Sequence, residues 1–343
     1  MNATRIGLDL AKQVFQVHGV DRQERVVLRR QLKRSQVLSF FEKLPACKIG
    51  MEACAGAHYW GRQFEQMGHE VKLIAPQFVK PYVKSQKNDA NDAEGICEAV
   101  GRPNMRFVAI KTVVQQDMQA IHRIRSELVK SRTAKVNQIR GLLAEYGTVV
   151  PARIEQIRRA LPIILEDPAN GLTALFRRLL EGLRQDLVEL DRRVEELDHE
   201  IAVIARQDPL AQRLQTVPGI GPVSATALLA SIGDGRQFKR ARDLPAWLGL
   251  TPGQHSSGGK DHLLGISKRG DSYLRTLLIH GARAVLRAVG NKTDPRSRWL
   301  AGVAARRHKN VAAVALANKN ARIVWALLTR GESYDSQRGM KTA

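Results

Sequence analysis

The chain has 343 residues, 43% hydrophobic and 26% charged, enough to build two or three packed domains and unlike a disordered or fibrous chain. Lysine and arginine number 55 against 33 acids, a formal charge of +22, which calls for a polyanionic partner, nucleic acid first. No stretch reads as the roughly twenty apolar residues of a membrane span, no signal-peptide core precedes the first strand pattern, and Cys47, Cys54 and Cys97 form no CxxC pair; a soluble, cytoplasmic protein with no membrane partner, disulfide framework or structural zinc is expected.

Stretches 4–11, 14–20 and 24–31 read as three short strands in a meander, followed by a helix over 35–44. Alternation then predicts a strand over 47–54, a helix over 57–67, a strand over 70–75 and a helix over 76–84. This βββαβαβα order is the one found in RNase H-like domains, whose first and fourth strands lie side by side. A long helix over 112–146 follows, with Met118, Ile121, Leu128, Val136, Ile139 and Leu143 on one side. Arg123, Arg125, Lys130, Arg132, Lys135 and Arg140 enrich the rest, either as a solvated face or as a nucleic-acid-facing one. Pro151, Pro162 and Pro168 then mark a linker or short helices.

From Phe176 through Leu179, Leu183, Leu187, Leu190, Val194, Leu197, Ile201 and Ile204 the apolar spacing alternates mainly between three and four, as in a coiled-coil seam of about four heptads. The alternative is an antiparallel pairing with the preceding long helix. The segment 171–207 carries a net charge of −2 whereas 208–343 carries +14, so the former suits assembly and the latter nucleic acid. Thr216–Pro222, with Gly219 and Gly221, resembles the hairpin of a helix-hairpin-helix element that approaches a phosphate, or else is a plain interhelix turn. Helices are expected at 244–250, 273–289, 299–307 and 310–330, with a Gly/Ser-rich loop over 253–265. Aromatic residues make up 5%, so phosphate contacts rather than base stacking should dominate binding.

Asp9 stands in the apolar strand Ile6-Gly7-Leu8-Asp9-Leu10, and Glu52 in a matching place in Ile49-Gly50-Met51-Glu52-Ala53. A carboxylate there is costly without a partner. Asp89 and Asp92 are three apart and share a face if helical, with Glu94 and Glu98 off that face in solvent. Singly these acids read as a turn residue, a surface acid and N-caps. Together they make an oxygen-ligand set for one or two Mg2+ ions.

With these residues in view, the chain resembles the DEDD transposases of insertion sequence family one-hundred-ten, relatives of the Piv-type DNA invertases. The resemblance rests on Gly7-Leu8-Asp9, Met51-Glu52-Ala53 and Asn88-Asp89-Ala90-Asn91-Asp92-Ala93 in the N-terminal half. Further on it rests on Pro218-Gly219-Ile220-Gly221, Gly249-Leu250-Thr251-Pro252, Ser257-Gly258 and Gly265-Ile266-Ser267-Lys268-Arg269-Gly270. It implies an α/β RuvC-like (RNase H-like) domain over 1–110 with Asp9, Glu52, Asp89 and Asp92 as Mg2+ ligands and catalytic acids. Long helices and a coiled coil for assembly follow over 111–207, then a mainly α-helical C-terminal transposase domain over 208–335 and a tail over 336–343.

The resemblance also implies that Ser257, with Ser256 directly beside it, is the nucleophile that joins the protein to DNA through a phosphoserine. Activation of its hydroxyl falls to the metal or to neighbouring groups. Double-stranded donor and target DNA, a structured guide RNA encoded by the element, and dimers or tetramers with a composite active site follow from the same likeness. Lys260, Lys268, Arg269 and the cations of the long helix are candidate nucleic-acid contacts. The competing readings are a hydrolytic nuclease that needs only the four acids, a tyrosine recombinase using His280, Arg283 and Tyr334, and a non-catalytic scaffold.

Overall fold

A computed structural model describes residues 3–84, 88–290 and 292–336. The tail expected over 336–343 lies outside the described residues beyond Ser336. The chain divides into two compact units, Met1–Gln115 and Gln116–Ala343.

In the first unit β1 (Arg5–Asp9), β2 (Val14–Val20) and β3 (Val26–Lys33) form the expected antiparallel meander. A 3-10 turn (Arg34–Gln36), α1 (Val37–Phe41), β4 (Lys48–Glu52), α2 (Ala57–Gln66) and β5 (Glu70–Ile74) come next. They are followed by α3 (Pro76–Val79), α4 (Asp89–Val100) and β6 (Phe107–Val108). The sheet order is β3-β2-β1-β4-β5-β6, with β4 parallel to both β1 and β5. The helix expected over 76–84 is a single turn followed by a 3-10 turn at Lys80–Tyr82, because Pro81 lacks the N–H that a longer helix would use.

Period two sorts the sheet into faces. Ile6, Leu8, Phe15, Val17, Ile49 and Met51 belong to one apolar cluster with Phe41 of α1 and Trp60 and Phe64 of α2. Gly7 and Gly50 point the other way, against α4. A Cβ on Gly7 would lie 2.1 Å from the Ala93 carbonyl oxygen and 2.8 Å from Cys97 Cβ. Glycine is therefore required for α4 to lie directly on the sheet.

The second unit is mainly helical, with α5 (Val113–Ala144), α6 (Ile154–Glu166), α7 (Ala174–Gln207), α8 (Pro209–Gln215), α9 (Pro222–Ile232) and α10 (Asp243–Trp247). A two-stranded hairpin, β7 (Pro252–Gln254) and β8 (Leu263–Ile266), precedes α11 (Ser272–Arg287), α12 (Pro295–Arg306) and α13 (Lys309–Arg330). The helix starts carry strong caps: Thr173, Asp208, Asp271 and Asp294 each accept a main-chain N–H in the first turn. Pro162 lies inside α6 and does not end it.

Residues of α5, α6 and α7 share one core of Val136, Ile139, Leu143, Ile157, Leu161, Phe176, Leu180 and Leu187. On α7 the buried stripe is Phe176, Leu180, Leu187, Val194 and Ile201, while Leu179 is 57% exposed. The pairing of the acidic helix with the long basic one is thus made within the chain. α13 is long and apolar enough to cross a membrane, but half of its apolar window is buried within the protein. Its Ala313, Leu316, Ala317, Ala321 and Val324 belong to the C-terminal core.

Candidate active site

Asp9 and Glu52 end their strands two residues beyond Gly7 and Gly50, so by the alternation of side chains they share the face that α4 covers. Parallel pairing of Leu8 with Met51 sets them side by side in register. Asn88 caps α4 by accepting the Asn91 N–H at 2.8 Å. Asp89 and Asp92 then stand in the first turn, where the helix dipole favours anions. Carboxylate oxygens of Asp9, Asp89 and Asp92 all lie within 4.8 Å of one another. Glu52 is not part of that triad, yet its charge reaches Asp9.

Burial, then the like charges of Asp92, Asp89 and Glu52, push the Asp9 carboxyl up to about 6. Three oxygen donors this close repel unless a cation lies between them, and an all-carboxylate set suits a hard divalent ion. Glu94, expected in solvent, is instead half-buried and pairs with Arg29 at 3.6 Å and Lys84 at 3.7 Å.

In the second unit, the segment read as a Gly/Ser loop is a hairpin. Its base joins two motifs far apart in sequence: Ser267 N–H donates to the Thr251 carbonyl at 2.8 Å and Lys268 N–H to the Gly249 carbonyl at 3.2 Å. Arg275 of α11 ties this base down through the Leu248 carbonyl at 3.0 Å and the Arg269 carbonyl at 3.3 Å. At the tip, Lys260 N–H donates to the Ser257 carbonyl at 3.0 Å across Gly258 and Gly259, whose φ values are +57° and +77°. Two successive positive φ angles make a primed turn that glycine adopts without strain.

Ser257 and Lys260 form an isolated antiparallel bridge and are both exposed. The Ser256 hydroxyl accepts from Gln254 Nε2 at 2.9 Å, and the same amide reaches Asp261 at 3.1 Å. Ser257 Oγ has no such partner among the described residues. Sequence reasoning passed over Gln254, although a polar residue two before a serine in a hairpin strand is a signal for this contact.

The remaining candidates fall into four groups. Lys268, at φ +54°, and Arg269 are exposed beside the hairpin base, and Arg123 is exposed on α5. Arg125 is in a bidentate pair with Asp198, Arg132 pairs with Asp191 at 3.2 Å, Lys135 with Asp186 at 2.8 Å and Lys130 with Glu127 at 3.4 Å. Gly219, at φ +93°, packs on α11, where a Cβ would meet the Gly281 carbonyl at 2.9 Å; Gly221 opens α9 in open space. Of the tyrosine-recombinase set, His280 is exposed, Arg283 bonds Asn310 at 3.3 Å, and the Tyr334 hydroxyl lies 3.1 Å from Arg296 Nη1.

An IS110-type DEDD family model, described as "Transposase", matches residues 6–148, and one described as "Transposase IS116/IS110/IS902 family" matches residues 211–298. A "Probable family 20 transposase" of Pseudomonas aeruginosa is 58% identical over 97% of this chain and 99% of its own. The chain belongs to the IS110/IS116 family of transposases. The transposase for insertion sequence element IS1111A of Coxiella burnetii is 51% identical, over 96% of this chain and 90% of its own. That for IS1328 of Yersinia enterocolitica is 43% identical, over 97% and 99%. The protein is thus an enzyme acting on DNA, the transposase of an insertion sequence. Its matched DEDD region contains Asp9, Glu52, Asp89 and Asp92, and its second matched region contains Ser257.

Proposed function

We propose that this transposase cuts and rejoins DNA through a covalent phosphoserine, with Asp9, Asp89, Asp92 and Glu52 holding one or two Mg2+ ions in an RNase H-like (RuvC-like) domain. The observation that carries the reading is the carboxylate triad within 4.8 Å, on a sheet whose antiparallel meander continues into parallel strands interleaved with helices. When bound, the ion would polarise the scissile phosphate. Asp9 and Asp92 would hold it, Asp9 fixed by the register of β1 and Asp92 by the capped start of α4.

Ser257 supplies the nucleophile. Its Oγ forms a bond to phosphorus, the bond from phosphorus to a deoxyribose oxygen breaks, and the serine proton ends on that released oxygen as a free sugar hydroxyl. Because the phosphodiester is exchanged and not hydrolysed, a DNA hydroxyl can reverse the step and reseal the strand without ATP. Exposure of Ser257 at a glycine turn and engagement of Ser256 by Gln254 support Ser257 over its neighbour.

The reading assigns residues 1–110 to metal chemistry, 111–207 to assembly and 208–335 to the nucleophile and DNA. Lys260, Lys268, Arg269 and Arg123 would contact phosphates. The partly exposed apolar residues of α7, Leu179 above all, would join subunits into a dimer or tetramer. The +14 charge of residues 208–343 suits both duplex DNA and an element-encoded guide RNA. The work would be done in the prokaryotic cytoplasm, where the chromosome lies.

The test is denaturing electrophoresis of a labelled suicide substrate with Mg2+ and the element's RNA. A covalent protein–DNA band in the wild type and in Ser256→Ala, absent in Ser257→Ala and Asp9→Asn, is expected. Nicked DNA without a band would favour a hydrolytic nuclease, and full function in both inactive-site variants a scaffold.

A further inference from the structure

Outside the carboxylate site, the sheet unit has an open groove of about 620 Å³ lined by Gln13, Val14, Lys33, Arg34, Ser35, Leu38, Tyr59 and Trp60. Its volume is in the range of small-ligand sites, about 300–1,000 Å³. Topology places it at the end of the sheet that carries Asp9. Asp9 pairs with Gln16, Val14 pairs with Lys33, and the two positions are two residues apart on β2, roughly 7 Å of strand. The start of α2, with Tyr59, follows directly from the end of β4, which carries Glu52.

The chemistry of the lining is specific. No acidic side chain contributes to it, while Lys33 and Arg34 are both exposed. The Arg34 guanidinium lies 5.2 Å from the Trp60 ring centre and 5.9 Å from that of Phe15, and it donates to the Lys12 carbonyl at 3.4 Å. That stacking fixes its direction, so its charge is presented without the entropy cost of a mobile chain. Tyr59 is 42% exposed and stands edge-on to Trp60, with ring centres 5.2 Å apart, whereas Trp60 is 4% exposed. The groove therefore pairs one exposed aromatic surface, backed by a rigid buried ring, with two cations.

We propose that this groove holds an unpaired nucleotide or two of the DNA strand being processed, with a base on Tyr59 and the adjoining phosphates on Lys33 and Arg34. Paired bases are already stacked on one another and offer no face to Tyr59, so the occupant is single-stranded. Arg34, Tyr59 and Trp60 lie on the α1/α2 side of the sheet and the acids on the α4 side, so the strand that has its phosphate at the carboxylates reaches the groove by passing round the end of the sheet that both share. This rests on the reading of the acids as the site that engages the scissile phosphate. The groove's own affinity needs no metal, so the two are tested separately.

The experiment uses the full chain in EDTA with a short single-stranded DNA bearing 5-iododeoxyuridine at the position next to the cleavage site. Photo-crosslinked peptides are mapped by mass spectrometry, and affinity is followed by fluorescence anisotropy across a salt series. A crosslink at Tyr59 is expected. Tyr59→Ala should weaken this strand by roughly 5- to 150-fold, the range for loss of one base–aromatic stack, with Tyr59→Phe near wild type. Lys33→Ala should reduce the salt slope by about 0.7, the value for one phosphate on a single strand. Asp9→Asn should leave all three readouts unchanged in EDTA while removing metal-dependent cleavage.

Crosslinks only elsewhere with unchanged affinity in Tyr59→Ala, an equal effect of that variant on the fully paired duplex, or a preference of the groove for RNA of the same sequence would each overturn the proposal. Normal groove binding in a protein whose acids prove irrelevant to cleavage would instead overturn the metal reading alone.

Discussion

The two units prepare their chemistry in opposite ways. In the sheet unit the acids are held by main-chain geometry: strand register, a glycine at position 7 that lets α4 lie on the sheet, and a capped helix start. The resulting carboxylates are crowded and partly buried, which raises Asp9 and leaves the apo protein locally strained in charge. In the helical unit Ser257 is exposed on a two-glycine turn, while the hairpin's base is pinned by Arg275 and by main-chain bonds between distant motifs. On the proposed reading the contrast has a use: a metal site gains from fixed donors, whereas a nucleophile that must reach a polymer gains from an accessible tip on a fixed root.

The sharpest way to break this contrast is to remove one group from each side. Asp92→Asn and Ser257→Ala should each lower strand cleavage by at least about 10²–10³-fold, the loss typical of a group that stabilises only the transition state. Quenched-flow or gel assays of strand cleavage check this. Only Asp92→Asn should weaken Mg2+ or Mn2+ binding followed by calorimetry. If Ser257→Ala weakened metal binding equally, the division of labour would be wrong.

A second prediction concerns the rigid root of the helical unit. Arg296 is 4% exposed and donates to the Pro218 carbonyl at 2.7 Å and to Asn320 Oδ1 at 3.0 Å. Arg296→Met orphans Asn320 Oδ1, worth about 1–3 kcal/mol when left buried and unpaired, while the Pro218 carbonyl keeps a donor in Asn320 Nδ2 at 3.3 Å. Chemical denaturation should show a loss of about 1–3 kcal/mol. Metal binding at the acids should persist, which separates the two units.

His122 carries a related network. Nε2 lies 2.9 Å from Thr226 Oγ1, which itself donates to the Pro222 carbonyl at 2.8 Å, so His122 Nε2–H is the donor and Nδ1 accepts from the Tyr273 hydroxyl at 3.0 Å. Burial, then Arg125, lower the imidazole to about 4. A lowered histidine costs stability only where the unfolded imidazole binds protons, so this contribution is absent above about pH 6.5 and grows as pH falls toward 4. His122→Gln, compared by thermal melts at pH 7.5 and pH 5, should flatten the acid side of that profile.

The third handle is the charge on Asp9. Its folded value of about 6 exceeds the unfolded one, so the apo protein holds the extra proton between the two values. Stability falls as pH rises through that window, and the cost is complete above pH 6. Asp9→Asn should therefore raise the apo melting temperature slightly at pH 7.5 and have little effect at pH 4. A divalent ion should stabilise the wild type more at pH 7.5 than at pH 5, because protons compete for the same oxygens.

The smallest expected effect lies on α5. Asp186→Asn releases Lys135 from a pair in which Asp186 is 58% exposed, costing about 0–1 kcal/mol at most. The freed lysine should steepen the salt dependence of DNA binding by no more than about one phosphate equivalent. An unchanged slope would mean that this side of α5 does not face DNA.

Much of the site could be read along the chain. Asp9 and Glu52 were visible because a carboxylate after three apolar or glycine residues contradicts a strand's pattern, and Asp89 and Asp92 because they are three apart. The meander, the strand–helix alternation and both long helices follow from periodicity. What stayed hidden was whatever depends on partners distant in sequence. β6 is two residues long and has no pattern of its own. Helix 76–84 broke at Pro81, and the basic residues of α5 could not be matched with Asp186, Asp191 and Asp198 until α7 lay beside them.

Composition, spacing and charge by themselves determined that this is a basic protein of two or three domains with four candidate acids, because those are local properties of the chain, and the family resemblance added the serine in the glycine-rich segment. Only the tertiary structure decided that three of the acids converge within 4.8 Å, that Ser256 is occupied while Ser257 stands at the turn, and that α5 turns much of its charge inward to α7. The physical reason is that Coulomb repulsion, hydrogen-bond satisfaction and stacking act over a few ångströms of space. Which groups come that close is set by sheet register and helix packing.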